Sequence, residues 1–249
     1  MFNPIEGEIL YIDKPLRWTS FDVVKRVRGK LLRRLGLKKF KVGHAGTLDP
    51  LATGVMIVVT GRATRQIESL QAGVKEYVAT IALGATTPSF DLETQIDATY
   101  STDHITREAV ENVLNGFVGV IQQVPPAFSA CKVDGKPAYK MARKGKDVEI
   151  RPKTLVIDEI QLLDFSPTQI VIRVVCSKGT YIRALARDIG IALNSGGHLT
   201  TLRRTRVGDI TDDMCLSIDQ VASMLDTVEI HIPDDNNPSN NKTNNNIEK

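Results

Sequence analysis

The stretch Lys41 to Arg65, KVGHAGTLDPLATGVMIVVTGRATR, constrains this chain more than any other part of it. Its centre, GHAGTLDPLATG, holds three glycines (Gly43, Gly46, Gly54), one proline and one carboxylate, Asp49. Glycine takes positive φ and tolerates close backbone approach, and Pro50 restricts Asp49 to extended backbone. The apolar run Val55 to Val59 follows at once and reads as a buried strand. Asp49 therefore sits on a constrained loop leading into the core, the placement that holds a reactive carboxylate still. An Asp-Pro pair is also a common turn, so local composition leaves both readings open.

The 249 residues, 42% of them hydrophobic, can bury a full core as one large domain or two small ones. A net charge of +3 says little about partners, but the distribution of charge says more. Nine basic residues and no acidic one lie between Lys25 and Lys41. A second basic region runs from Lys132 to Lys153, and Arg203, Arg204 and Arg206 form a third cluster. One such run is ordinarily a solvated face; three in a nearly neutral chain favour a polyanionic partner. Cys131, Cys176 and Cys215 are odd in number and far apart. They fit neither a disulfide framework nor a metal site and read as reduced residues of a cytosolic protein. The N-terminus lacks the regions of a signal peptide and no apolar run approaches membrane-spanning length, so a soluble, cytoplasmic protein is expected.

Along the chain, Glu8 to Ile12 reads as a short strand. Thr19 or Ser20 then caps a helix with Val24, Val27, Leu31 and Leu35 on one face, and Gly36 ends it. Its other face carries most of the first basic cluster and suits a phosphate backbone. Gly61-Arg62 opens a short helix to about Leu70. Val74 to Leu83 alternates as a strand with Lys75, Tyr77, Ala79, Ile81 and Leu83 on one face. Thr106 to Leu114 is a helix, and Glu149 to Leu163 pairs with Gln169 to Ser177 as strands. Thr180 caps a helix with Ile182, Leu185, Ala186, Ile189 and Leu193 inward and with Arg183 and Arg187 near the edge of that stripe. An arginine so near a helix start is poorly placed for the helix dipole and calls for a carboxylate or phosphate partner. His198 to Gly208 reads as a strand and Ser217 to Leu225 as a last helix. Residues 234–249, rich in Asn, form a tail expected to be disordered. No GxxxxGK[ST] loop and no cluster with metal-ligand spacing occurs, so no metal and no nucleotide cofactor is expected.

GHAGTLDPLATG resembles the catalytic motif of the tRNA pseudouridine synthase B family, in which the Asp is the nucleophile. Four further stretches are similar to motifs of that family, in the same order. Lys14, Pro15, Thr19 and Ser20 match the N-terminal motif, with Arg17 where the family has Gly. If that Gly takes positive φ, Arg17 strains or alters the turn. KEYVATIALGATT matches the second motif, whose Tyr lies against the target base, here Tyr77. Asp91 falls at the acidic position beyond it, although Pro88 and Glu93-Thr94 depart from the usual flanking pairs. Gln123 to Lys132, with Gly135, Tyr139 and Ala142-Arg143, matches the PPxxSAxKxxGxxxYxxAR pattern, a composition suited to gripping folded RNA. Arg183, in GTYIR, matches the Arg that pairs with the catalytic Asp, and Leu202 falls where the family packs a side chain near the target base.

The resemblance implies an α/β (α+β) pseudouridine synthase fold, a mixed, largely antiparallel sheet with flanking helices and an RNA-binding insertion at about 101–153. The chain is expected to form one catalytic domain, residues 1–233; many members it resembles continue into a further small RNA-binding domain, for which nothing here has the length. The implied reaction converts uridine to pseudouridine in the TΨC arm of tRNA, at position 55, with no cofactor. Asp49 attacks a uridine flipped out of the folded arm, Arg183 favours its ionised form, and Tyr77 and Leu202 sandwich the base. Tyr77 also offers a hydroxyl for proton handling. His44, Lys14, Lys75, Asp91, Lys132 and Tyr181 complete the expected substrate contacts. The expected partner is tRNA alone, bound by a monomer with no membrane and no obligate protein partner. Two other classes compete: a non-catalytic RNA-binding protein on the same scaffold, and a hydrolase in which water captures the same sugar carbon.

Overall fold

The computed structural model describes residues 2–129, 131–133, 135–138, 141 and 150–231. The tail at 234–249, and Tyr139 and Arg143 of the RNA-gripping pattern, lie outside the described residues. The described residues fall into two compact units, one of residues 2–72 with 209–231 and one within residues 73–208.

The first unit begins with β1 (Ile9–Lys14), α1 (Ser20–Leu35), β2 (Val42–His44) and β3 (Ala52–Thr60). A 3-10 helix (Gly61–Gln66) and α2 (Ile67–Ala72) follow. β3 pairs antiparallel with both β1 and β2, and the strand Leu216–Ser217 joins β1 in parallel. α1 starts at a full capping box: Asp22 N–H donates to Thr19 Oγ1 at 3.0 Å and Thr19 N–H donates to Asp22 Oδ2 at 2.9 Å. Gly36, at φ 64°, ends it. Its apolar face, Val23, Val24, Val27, Leu31 and Leu35, packs with Ile12, Met56 and Val58 and with Ile218, Val221 and Leu225 of the C-terminal helix Ile218–Thr227. Each such side chain contributes about 1.5–3 kcal/mol by leaving water.

The opposite face of α1 is less open to RNA than its charge suggests. Arg34 donates to the carbonyls of Leu225 (2.7 Å) and Val228 (2.8 Å) at the end of the C-terminal helix. Lys30 pairs with Asp226, and Arg28 donates to the Val42 carbonyl at 2.8 Å. Cations belong beside the carbonyls that a helix end leaves unpaired. Lys25, Arg26, Arg33, Lys38, Lys39 and Lys41 remain exposed.

The second unit contains β4 (Lys75–Leu83), α3 (Arg107–Gly116), β5 (Gly119–Gln123), β6 (Lys153–Ser166), β7 (Gln169–Cys176), α4 (Ile182–Ala192) and β8 (Gly197–Val207). Its sheet runs β8-β4-β7-β6-β5, every neighbour antiparallel. β4 buries Lys75, Tyr77, Ala79, Ile81 and Leu83 in strict alternation, as its sequence pattern requires. α4 lies against β8 and β4, so closely that a Cβ on Gly190 would collide with the backbone of Gly197.

Two details differ from the sequence reading. The strand expected from Glu149 starts at Lys153. Thr180 does not cap α4: its hydroxyl donates to Ser177 O at 3.0 Å, and the N-cap is Tyr181, which has no side-chain cap bond. The first turn is held instead by Gln123, a partner distant in sequence.

Candidate active site

Asp49 lies in the first unit on a loop fixed from both sides. Before it, Ser20 Oγ accepts from Leu48 N–H at 2.8 Å and donates to Leu48 O at 3.0 Å. After it, Arg17 N–H donates to Pro50 O at 2.7 Å. The loop closes on itself as Ala52 N–H donates to Asp49 O at 3.1 Å. Gly46 (φ 96°) and Gly54 (φ 103°) occupy the conformations that only glycine takes cheaply, which accounts for their presence in the motif. Asp49 itself is half-buried. Arg17 has φ 67°, the strained turn expected of a non-glycine at that position.

Lys14 is fully buried at the same turn. Its ammonium donates to Trp18 O at 2.6 Å and Pro15 O at 2.9 Å, with Pro50 O at 3.5 Å, so the charge is set among carbonyls next to Asp49. His44 ends β2, half-buried, in register with Val58.

In the second unit Tyr77 sits on the buried face of β4, 9% exposed, in register with Val174 on β7 and Arg204 on β8. Leu202, 8% exposed, faces Ala79 across the β4–β8 ladder and so shares the face of Tyr77, one diagonal away. Arg204, 1% exposed, joins that face. The alternation Leu202, Arg204 in LRRTRV was the signal for it, masked by reading Arg203, Arg204 and Arg206 together as one basic cluster. Lys75 is buried with its ammonium on Gly73 O at 2.5 Å, and burial, with the Arg204 charge second, brings its pKa down to about 8. Its register partner Cys176 is fully buried, which pushes that thiol up to about 11.

Arg183 is buried, not at the edge of its helical stripe. Its Nε lies 3.5 Å from Asp91 Oδ2, an ion pair in which both side chains are buried. Nη1 donates to Ser89 O at 3.2 Å and Nη2 to Phe128 O at 3.1 Å. Asp91 Oδ1 accepts from Glu93 N–H at 2.9 Å, and the hydroxyls of Thr87 (2.7 Å) and Ser89 (3.2 Å) donate to Asp91 O. Phe90 has φ 62°, and the Arg187 guanidinium lies 4.7 Å from its ring centroid. The anionic partner that the arginine's position called for is thus present. Sequence reasoning missed Gln123 and the Phe90–Arg187 contact, because neither has a local signal. Lys132 falls in a two-residue strand, Lys132–Val133. Among the described residues no cluster of three or more metal-ligating side chains occurs, and no helix is long and apolar enough to cross a membrane.

Residues 33–182 match the family model of the TruB family pseudouridylate synthase (N terminal domain), and residues 183–235 match that of the tRNA pseudouridylate synthase B C-terminal domain. The chain belongs to the TruB family. Its relatives in that family include a tRNA pseudouridine synthase B of Phocaeicola vulgatus, 67% identical over 225 residues, 90% of this chain and 96% of that one. A tRNA pseudouridine synthase B of Syntrophotalea carbinolica is 44% identical over 229 residues, 91% of this chain and 70% of that one. Among solved structures, the crystal structure of a Cbf5-Nop10-Gar1 complex superposes with a TM-score of 0.67 at 28% identity, over 92% of this chain and 61% of that chain. The structure of an H/ACA RNP bound to a substrate RNA containing 2'-deoxyuridine gives 0.64 at 27% identity, over 90% of this chain and 57% of that chain. The chain thus spans somewhat over half the length of those two solved chains. The fold is that of the pseudouridine synthases, and the TruB membership makes this protein a pseudouridine synthase, an isomerase.

Proposed function

We propose that this protein isomerises uridine to pseudouridine in the TΨC arm of tRNA, at position 55, with Asp49 as the nucleophile on a flipped-out uridine. The tRNA substrate is supported by relatives named tRNA pseudouridine synthase B at up to 67% identity. The nucleophile is supported by one observation above all: the loop of Asp49 is held on both flanks, at Leu48 and at Pro50, by hydrogen bonds from one turn. A carboxylate fixed in this way loses little freedom when it attacks.

The reaction breaks the N1–C1′ bond and forms a C5–C1′ bond. C5 gives up its hydrogen as a proton and N1 gains one, so no cofactor is consumed. Asp49 attacks the uridine, Arg183 supplies the positive charge that the family resemblance pairs with the nucleophile, and Tyr77 and Leu202 cover the base. Tyr77 Oη handles a proton. Lys14, with its ammonium on the Pro15, Trp18 and Pro50 carbonyls, holds the turn beside Asp49. His44, Lys75, Asp91, Lys132 and Tyr181 complete the substrate contacts. Residues 1–233 are read as one catalytic domain, a cytoplasmic monomer whose partner is tRNA. Nucleoside analysis of an unmodified tRNA transcript after incubation tests the reading. Pseudouridine confined to position 55 is expected. Unchanged uridine would indicate a binding protein, and free uracil a hydrolase.

A further inference from the structure

Gln123 ends β5 with its side chain fully buried. Its amide pairs with both backbone groups of one residue, as a neighbouring antiparallel strand would. Oε1 accepts from Tyr181 N–H at 2.9 Å, and Nε2 donates to Tyr181 O at 3.2 Å. Tyr181 is the N-cap of α4, and the same carbonyl accepts Leu185 N–H at 3.0 Å, a first bond of the helix. Helix starts are ordinarily held by a local Ser, Thr, Asp or Asn. A tyrosine cannot do this; here a side chain 58 positions away instead bonds the N-cap's own N–H, the bond that an N3 Glu or Gln makes in a capping box. Arg183 follows two residues later. The segment leaving β5 touches α4 twice more: Phe128 O accepts from Arg183 Nη2, and Val124 O accepts from Arg187 Nη2 at 3.2 Å.

We infer that Gln123 is a positioning residue for the reaction: it sets the start of α4 so that the Arg183 guanidinium reaches Asp91 and Ser89. At neutral pH, where a Glu carboxylate only accepts, the amide is the side chain of this length that offers a donor and an acceptor together. Removing it leaves the Tyr181 N–H without that bond and lets the first turn of α4, with Arg183, shift. The inference rests on the proposed catalytic role of Arg183.

The test compares single-turnover pseudouridine formation on a tRNA transcript for wild type, Gln123→Met, Gln123→Glu, Arg183→Met and the Gln123→Met/Arg183→Met double variant. Melting and tRNA affinity are measured on each. Gln123→Met is expected to slow turnover by about 10- to 100-fold, the scale of a misplacement near 1 Å, with affinity within about threefold of wild type. On the Arg183→Met background it should add less than about twofold, because it acts through Arg183. Gln123→Glu still accepts from Tyr181 N–H but, while ionised, has no proton for the carbonyl. Its deficit relative to wild type should narrow as pH falls and the neutral carboxyl restores the donor. A wild-type rate in folded Gln123→Met beside a slow Arg183→Met overturns this inference alone, as does an equal fold-loss in both backgrounds. If Gln123→Met does not fold, a Gln123→Glu deficit indifferent to pH overturns it. A wild-type rate in Arg183→Met removes the role of Arg183 and this inference with it.

Discussion

Arg17 donates its backbone N–H to the carbonyl of Pro50 at 2.7 Å while holding a φ of 67°. The strain is tolerated because the bond reaches the residue after Asp49, and the fully buried Lys14 ammonium fixes the same turn from within. A backbone outlier beside a proposed nucleophile is where stored strain is found.

Arg17→Gly should therefore stabilise the fold. Glycine removes the Cβ clash of the left-handed region, offset in part by its freer unfolded chain, for a net gain of about 1 kcal/mol. Denaturant unfolding measures it as a higher midpoint at unchanged slope. A lower midpoint would mean that the Arg17 side chain contributes more by packing than its backbone costs.

The basic face of α1 separates into two classes of residue. Arg33 is exposed, so Arg33→Glu should leave melting unchanged while weakening tRNA binding and flattening its salt dependence by about one counterion or more. Arg34 holds the carbonyls of Leu225 and Val228, and Arg34→Glu should cost about 1 kcal/mol of stability as well. Equal melting of the two variants would contradict this division.

Lys75 and Cys176, register partners on β4 and β7, should leave opposite marks on stability above neutral pH. The folded-state pKa of Lys75, about 8, lies below the ordinary lysine value of 10.5, so the unfolded chain binds the extra proton and stability rises with pH between those values. Cys176, raised from 9.0 to about 11, keeps its proton when folded, and stability falls over that window. In Cys176→Ala the fall disappears. Its unfolding free energy should climb relative to wild type from about pH 9 upward, and parallel pH profiles would contradict the buried thiol.

The alternation of β4 and the Asp49 loop were legible because each is a local pattern: a period of two in Lys75 to Leu83, and glycines with a proline around one carboxylate. The strain at Arg17 was legible as a single departure from a known motif. The sequence also showed that Arg183 needed an anion, but not the buried Asp91, the Ser89 and Phe128 carbonyls, or the Gln123 clip that starts its helix. Those partners lie 55 to 94 positions away, and nothing local encodes such contacts. The same blindness made Arg28, Lys30 and Arg34 look like phosphate ligands, when carbonyls and Asp226 from other segments engage them.

Tyr77→Phe keeps the ring on its buried face and removes the hydroxyl. Loss of a proton-handling group should slow single turnover by roughly 100-fold or more with tRNA affinity unchanged. A wild-type rate would leave Tyr77 a stacking role only.

Asp49→Asn keeps the size of the side chain and, because the loop is fixed through the backbone at Leu48, Pro50 and Ala52, should keep its fold. Melting confirms that first. tRNA affinity should stay within about tenfold of wild type, since phosphate contacts dominate it. The decisive measurement is single-turnover pseudouridine formation at position 55 by the folded variant. The nucleophile assignment predicts no detectable product. Product formed at about one hundredth of the wild-type rate or faster would contradict it.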